Sequence, residues 1–147
     1  MKFEICVSTP VDVAIAIEAG ADRVELCGHW ECGGLTPTSA SVRASASIGI
    51  PVRALIRPRA GNFVYNAAEK ELMIAEALDC LDAGAKMIVV GGLDESGNVD
   101  EHLLEMLCKK ISSEVMVFHR ALDVSNNPLM SAKVLRNFEI NAVILIQ

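Results

Sequence analysis

The chain has no run of basic residues. Its 13 Lys and Arg are scattered among 19 Asp and Glu, for a net charge of −6 and a sequence pI near 5.0. A nucleic-acid or anionic-membrane partner would want a basic patch, so neither is expected. No apolar run approaches the ~20 residues a membrane helix requires. Lys2 leads into a short strand pattern rather than an apolar leader core, so no secretory leader is expected and the cytoplasm is the expected compartment. There, five cysteines read as free thiols, core residues or ligands rather than disulfides. No G-x-G-x-x-G follows the first strand pattern, and no nucleotide cofactor is expected. Neither a linker nor a low-complexity stretch interrupts the chain, and residues 1–147 read as one domain.

What is present is alternation. About half the chain is apolar (52%), enough for a sizeable core at this length. Short runs rich in Val and Ile read as strands at 3–7, 23–27, 51–56, 86–91, 114–118 and 141–146. Between them lie helix patterns. Ile74, Ala77, Leu78 and Leu81 recur at helical spacing, as do Leu104, Leu107, Cys108 and Ile111. Thr9-Pro10, Thr36-Pro37 and Asn127-Pro128 each place a capping side chain before a proline. Gly20 and Gly84 fit left-handed helix ends in the repeated device "AGADRV" and "AGAKMI". In a third copy, "FEINAV", Glu139 stands where the glycine was.

Strands alternating with helices imply parallel pairing and right-handed crossovers. The expected fold is α/β: a partial (β/α) TIM-type barrel of six parallel strands and five helices. A closed barrel of ~8 units runs to ~250 residues, so the last two units are not expected here.

In such folds chemistry sits at the carboxyl ends of the strands. Glu4 and Cys6 share a face of strand one, and Glu25 and Cys27 share one of strand two. Arg57 and Arg59 close strand three, while His119, Arg120 and Asp123 follow strand five. Soft thiolates suit Cu(I) or zinc, and Cys6 and Cys27 would converge on one ion if their strands are neighbours. His29 and Cys32 would then be further ligands from the loop. The alternative is that these cysteines are small buried hydrophobes. Core packing is the reading for Cys80 and Cys108. A second constellation is acid–base: Glu4, Glu25 and His119 exchanging protons while Arg57 and Arg59 hold an anion. The same charges also read as a structural ion-pair network. His102 reads as an exposed first-turn residue and Trp30 as packing over the mouth.

The motifs "EICV", "GADRVELC", "GGLTP", "IRPRAGNFVY", "GGLDESGNVD" and "FHRALD" occur in this order. Together they resemble the CutC copper homeostasis family over essentially the whole chain. The resemblance implies a cytoplasmic barrel linked to copper homeostasis, with copper ion as partner. It makes Cys6 and Cys27 the Cu(I) ligands at the ends of strands one and two. It also assigns Glu4, Glu25, Arg57, Arg59, His119, Arg120 and Asp123 to a polar mouth. In an enzyme-like reading Glu4, Glu25, His119 and Asp123 are catalytic, and Arg57, Arg59 and Arg120 bind a small anionic substrate. Ala60, Asn62, Cys32 and Glu139 depart from the family pattern. The length departs too, since members continue past strand six. A partial barrel would leave strands one and six as bare edges open to homo-oligomer formation. Three functions follow as expectations: a Cu(I)-binding homeostasis protein, an enzyme of unassigned reaction, or a truncated inactive paralogue.

Overall fold

Helix starts in this chain are written in short-range side-chain chemistry. Thr9 accepts from the Asp12 amide while the Asp12 carboxylate accepts from the Thr9 amide, a reciprocal cap before Pro10. Asn66 and Glu69 repeat the device, and Asn127 caps the helix that opens on Pro128. In this computed structural model, which describes residues 2–144, five helices follow: α1 (Pro10–Glu18), α2 (Ser39–Ala46), α3 (Ala67–Asp82), α4 (Glu101–Cys108) and α5 (Pro128–Asn137). They alternate with strands β1 (Glu4–Val7), β2 (Arg23–Leu26), β3 (Val52–Leu55), β4 (Met87–Val90), β5 (Met116–Phe118) and β6 (Ala142–Val143).

All strand pairs are parallel, and the sheet runs in sequence order from β1 to β6. The sheet is a half-barrel. Its curvature is plain from one cavity that is lined both by Cys6 of β1 and by Ile144 just beyond β6. Among the described residues β1 and β6 each have a single sheet neighbour.

Strand alternation divides the core in two. Val24, Leu26, Ala54, Ile88 and Phe118 pack with Val13, Met73, Leu103 and Leu107 of the helices. The alternate positions Cys27, Leu55, Val89 and Val117 form a smaller cluster with Met87, Ala142 and Ile144. That second set faces the concave side, where polar residues share the strands with it.

Several expectations shift locally. α2 begins after Thr38, not at Thr36-Pro37. Thr36 is held in an extended crossing, accepting from the Arg57 amide and donating to Glu76. On α3 the sheet-facing stripe is Met73, Ile74, Ala77 and Cys80, while Leu78 is exposed. On α4 the buried face is Leu103, Leu104 and Leu107, so Cys108 is exposed rather than in the core. In both helices the stripe is rotated by one residue, a choice made by tertiary packing among overlapping apolar faces. The run 114–118 yields a strand only from Met116, because Ser112 caps a 3-10 turn over Ser113–Val115. Of the run 141–146, residues 145 and 146 lie outside the described residues.

Gly20 and Gly84 take φ of +86° and +110° as their helix-ending positions require, and Glu139 takes +55° in the third copy. An L side chain there costs ~1–2 kcal/mol, part of which is returned because glycine loosens the unfolded chain. Glu139→Gly is therefore expected to stabilise the fold by about 0.5–1 kcal/mol. An unchanged or lowered urea midpoint would show that the left-handed turn carries no strain.

Candidate functional site

The concave face is built in levels along the strands. At the amino end, Glu4 opens β1 and pairs in register with Arg23. Its Oε2 accepts from Arg23 Nε and from Arg53 Nη1, the latter at 2.7 Å. Arg53 is buried. Glu4 thus belongs to a three-residue ion network at the floor of the half-barrel, not to its mouth. The network's partners are Arg23 and Arg53, which do not stand out in the sequence as site residues. The spacing of Arg53, Leu55 and Arg57 in "VRALIR" carried the clue, since residues two apart share a strand face.

One level up, Cys6 lies in register with Glu25, and Glu25 with Arg53. Cys27 follows β2 directly, and its amide and thiol both point to the Val7 carbonyl. Strands ~4.8 Å apart rising ~3.3 Å per residue separate the Cα atoms of Cys6 and Cys27 by roughly 8 Å. A relaxed disulfide needs Cα atoms within about 7 Å, so this diagonal suits an intervening atom better than a direct bond.

Glu25, Cys6 and Cys27 line one cavity of ≈ 370 Å³ with Trp30, Leu55, Arg57, Phe63, His119 and Arg120. Burial, then the Glu4 carboxylate, pushes Glu25 up to about 7, against a smaller pull from Arg53. Cys6 is exposed on the open edge strand β1, and partial desolvation of its thiol, then Glu25 and Glu4, pushes it up to about 11. Burial, then Glu25 and Cys6, pushes Cys27 up to about 12. Both sulfurs therefore carry protons near neutrality.

Across the cavity, His119 follows β5 and caps a 3-10 turn over Arg120–Val124 by accepting from the Ala121 amide at Nδ1, 3.2 Å away. The ring can sit there because position 91 is glycine. A Cβ at Gly91 would lie 2.5 Å from Nδ1. The ring is only 4% exposed, and burial holds it down to about 3, opposed by its own backbone carbonyl and helped by the charges of Arg57 and Arg120.

Arg57 Nη1 donates to the carbonyls of Cys32, Gly33 and Gly34, and Nη2 to that of Gly61. Its plane lies over Phe63. It is a brace between the loops after β2 and β3. Arg59 turns away from the cavity and grips Glu69 and the Val64 carbonyl. Arg120 lines the mouth, while Asp123 lies in a neighbouring depression with Arg57, Gly61 and Phe63. His29 (φ +49°) and Cys32 are exposed on the loop and do not line the cavity. Trp30, half over the mouth, and the exposed His102 lie as expected. Among the described residues, no group of three or more His, Cys, Asp or Glu is arranged to hold a metal. None of the described helices is long and apolar enough to cross a membrane.

The model of the CutC family matches residues 1–146. The family protein CutC of Serratia proteamaculans (strain 568) is 35% identical over 146 residues, which is 98% of this chain and 58% of that protein. The one from Xanthomonas axonopodis pv. citri (strain 306) is 41% identical over 131 residues, 87% of this chain and 54% of that protein. A crystal structure from Streptococcus agalactiae, described as a copper homeostasis protein CutC, superposes with a TM-score of 0.88 at 28% identity, covering 99% of this chain and 72% of that one. The chain spans a little under three fifths of the length of these curated relatives (58% and 54%).

Proposed function

Because this chain belongs to the CutC family, we propose that it serves copper homeostasis by holding Cu(I) as cargo between Cys6 and Cys27. The observation that carries the reading is that both thiols line the same cavity. The donor set fits the ion. Two soft sulfurs, with no group of three or more metal-binding side chains among the described residues, suit digonal Cu(I), whereas structural zinc takes a tetrahedral set. The roughly 8 Å diagonal leaves room for an ion where a relaxed disulfide is disfavoured. A reducing compartment such as the cytoplasm would keep both thiols available.

The chemistry of uptake follows from the raised thiols. Each must lose its proton to ligate, so loading displaces two protons, and they leave to solvent directly or by way of a neighbouring base. Glu25 lies beside both sulfurs in the electrostatic field and provides an adjacent acceptor for one of them. Arg57 holds the loop that carries Trp30 over the mouth.

Cu(I) titration into reduced protein, against a competing chelator, tests this. Cys6→Ser and Cys27→Ser are each expected to weaken binding about 100-fold, or ~2.7 kcal/mol, and wild-type affinity should tighten as pH rises. Wild-type affinity in both variants would put the ion elsewhere.

A further inference from the structure

We propose that the cavity also binds a small carboxylate, with His119 Nε2–H as its hydrogen-bond donor. This assignment is independent of the copper reading and concerns the wall opposite the two cysteines.

The donor is fixed by geometry. Nδ1 accepts the Ala121 amide, so it has no proton, and in the neutral ring the proton must sit on Nε2. Nε2 has no hydrogen-bond partner among the described residues, although the ring is 4% exposed and lines the cavity. A buried N–H left unpaired is costly and calls for an acceptor. Protonating the ring would not relieve it, because burial and two guanidinium groups keep the imidazole neutral.

The surroundings select the acceptor. Arg57 and Arg120 line the same space, and both act electrostatically on the imidazole. Arg57 Nη atoms are spent on backbone carbonyls, yet its charge remains. A negative acceptor placed at Nε2 therefore lies in a cationic field. Leu55, Phe63 and Ile144 supply an apolar wall for the rest of the ligand. The volume of ≈ 370 Å³ is that of a metabolite-sized site. Glu25 and the thiols occupy the β1–β2 side, so the carboxylate end belongs toward β5 and the tail toward the aliphatic wall.

The test uses metal-free, reduced protein and three probes of one skeleton: isovalerate, isovaleramide and isopentylamine. Isovalerate should bind best by calorimetry and isopentylamine not measurably. Long-range proton–nitrogen spectra should show His119 protonated at Nε2, with that resonance moving on isovalerate addition. Two variants separate binding from folding. In His119→Asn the amide oxygen falls where Nδ1 was, keeping the cap on Ala121 but removing the deep donor. Isovalerate affinity should fall at least tenfold while the urea midpoint at pH 8, above the window in which His119 titrates, holds. In His119→Gln the terminal amide reaches the Nε2 position and should retain more affinity at the expense of the cap. Isovaleramide binding as well as isovalerate would overturn the carboxylate assignment. So would a proton on Nδ1, full affinity in His119→Asn, or no isovalerate binding by wild type.

Discussion

Replacing Arg57 by leucine is expected to cost about 2–3 kcal/mol, because the charge-assisted bonds that a buried guanidinium makes to loop carbonyls are lost together. The guanidinium ties Cys32, Gly33 and Gly34 of one loop to Gly61 of the next. Leucine fills part of the volume, leaves the buried Gly34 carbonyl unpaired and gives the other three acceptors to water. Arg57→Lys tests the geometry separately from the charge. An ammonium donates from one point and cannot span both loops as a planar fork does, so the lysine variant should recover less than half of the loss. Urea unfolding at constant slope reads both values. If leucine costs under about 1 kcal/mol, within the range of an ordinary surface change, the loops hold themselves and the brace is incidental.

The second large effect is a pair of opposed pH dependences that wild type conceals. Glu25 is raised from its ordinary 4.5 to about 7 in the fold. The folded state therefore holds that proton more tightly. Its stability contribution is complete below 4.5 and is lost as pH climbs toward 7. His119 runs the other way, from an ordinary 6.5 down to about 3. The unfolded chain takes up that proton first, so stability falls as pH drops from 6.5 toward 3. The two windows overlap between 4.5 and 6.5, where each slope approaches ~1.4 kcal/mol per pH unit and they offset. Glu25→Gln is expected to expose a stability that rises with pH across the overlap, and His119→Asn one that falls. Urea midpoints measured across that range for the two variants and wild type decide it. Profiles that superimpose would mean that neither group is perturbed by the fold.

Both effects concern residues that the sequence brings forward without their roles. Arg57 reads equally as an anion clamp or as part of a network. Its partners turn out to be backbone carbonyls, which leave no trace in side-chain composition. Glu4 reads as a mouth residue because it shares a face with Cys6, yet it stands at the amino end of β1 and binds Arg23 and Arg53 on the floor. A shared face fixes direction, not height along the barrel axis. Gly91 opens the motif "GGLDESGNVD" with no role legible there, and is the residue whose missing side chain seats His119.

Residue order by itself determined the alternation of strands and helices, the caps at Thr9 and Asn127, and the face shared by Cys6 and Glu4 or by Cys27 and Glu25. These are consequences of spacing within a few residues, where backbone geometry alone relates one side chain to the next. The folded sheet decided which arginine meets which carboxylate, that Arg59 leaves the cavity, that His29 and Cys32 stay outside it, and that His119 lines the same cavity as Cys6 and Cys27. Those outcomes depend on how strongly the sheet curls and on how neighbouring strands are staggered. Both are set by the packing of the whole helical layer, and no local stretch of sequence encodes them.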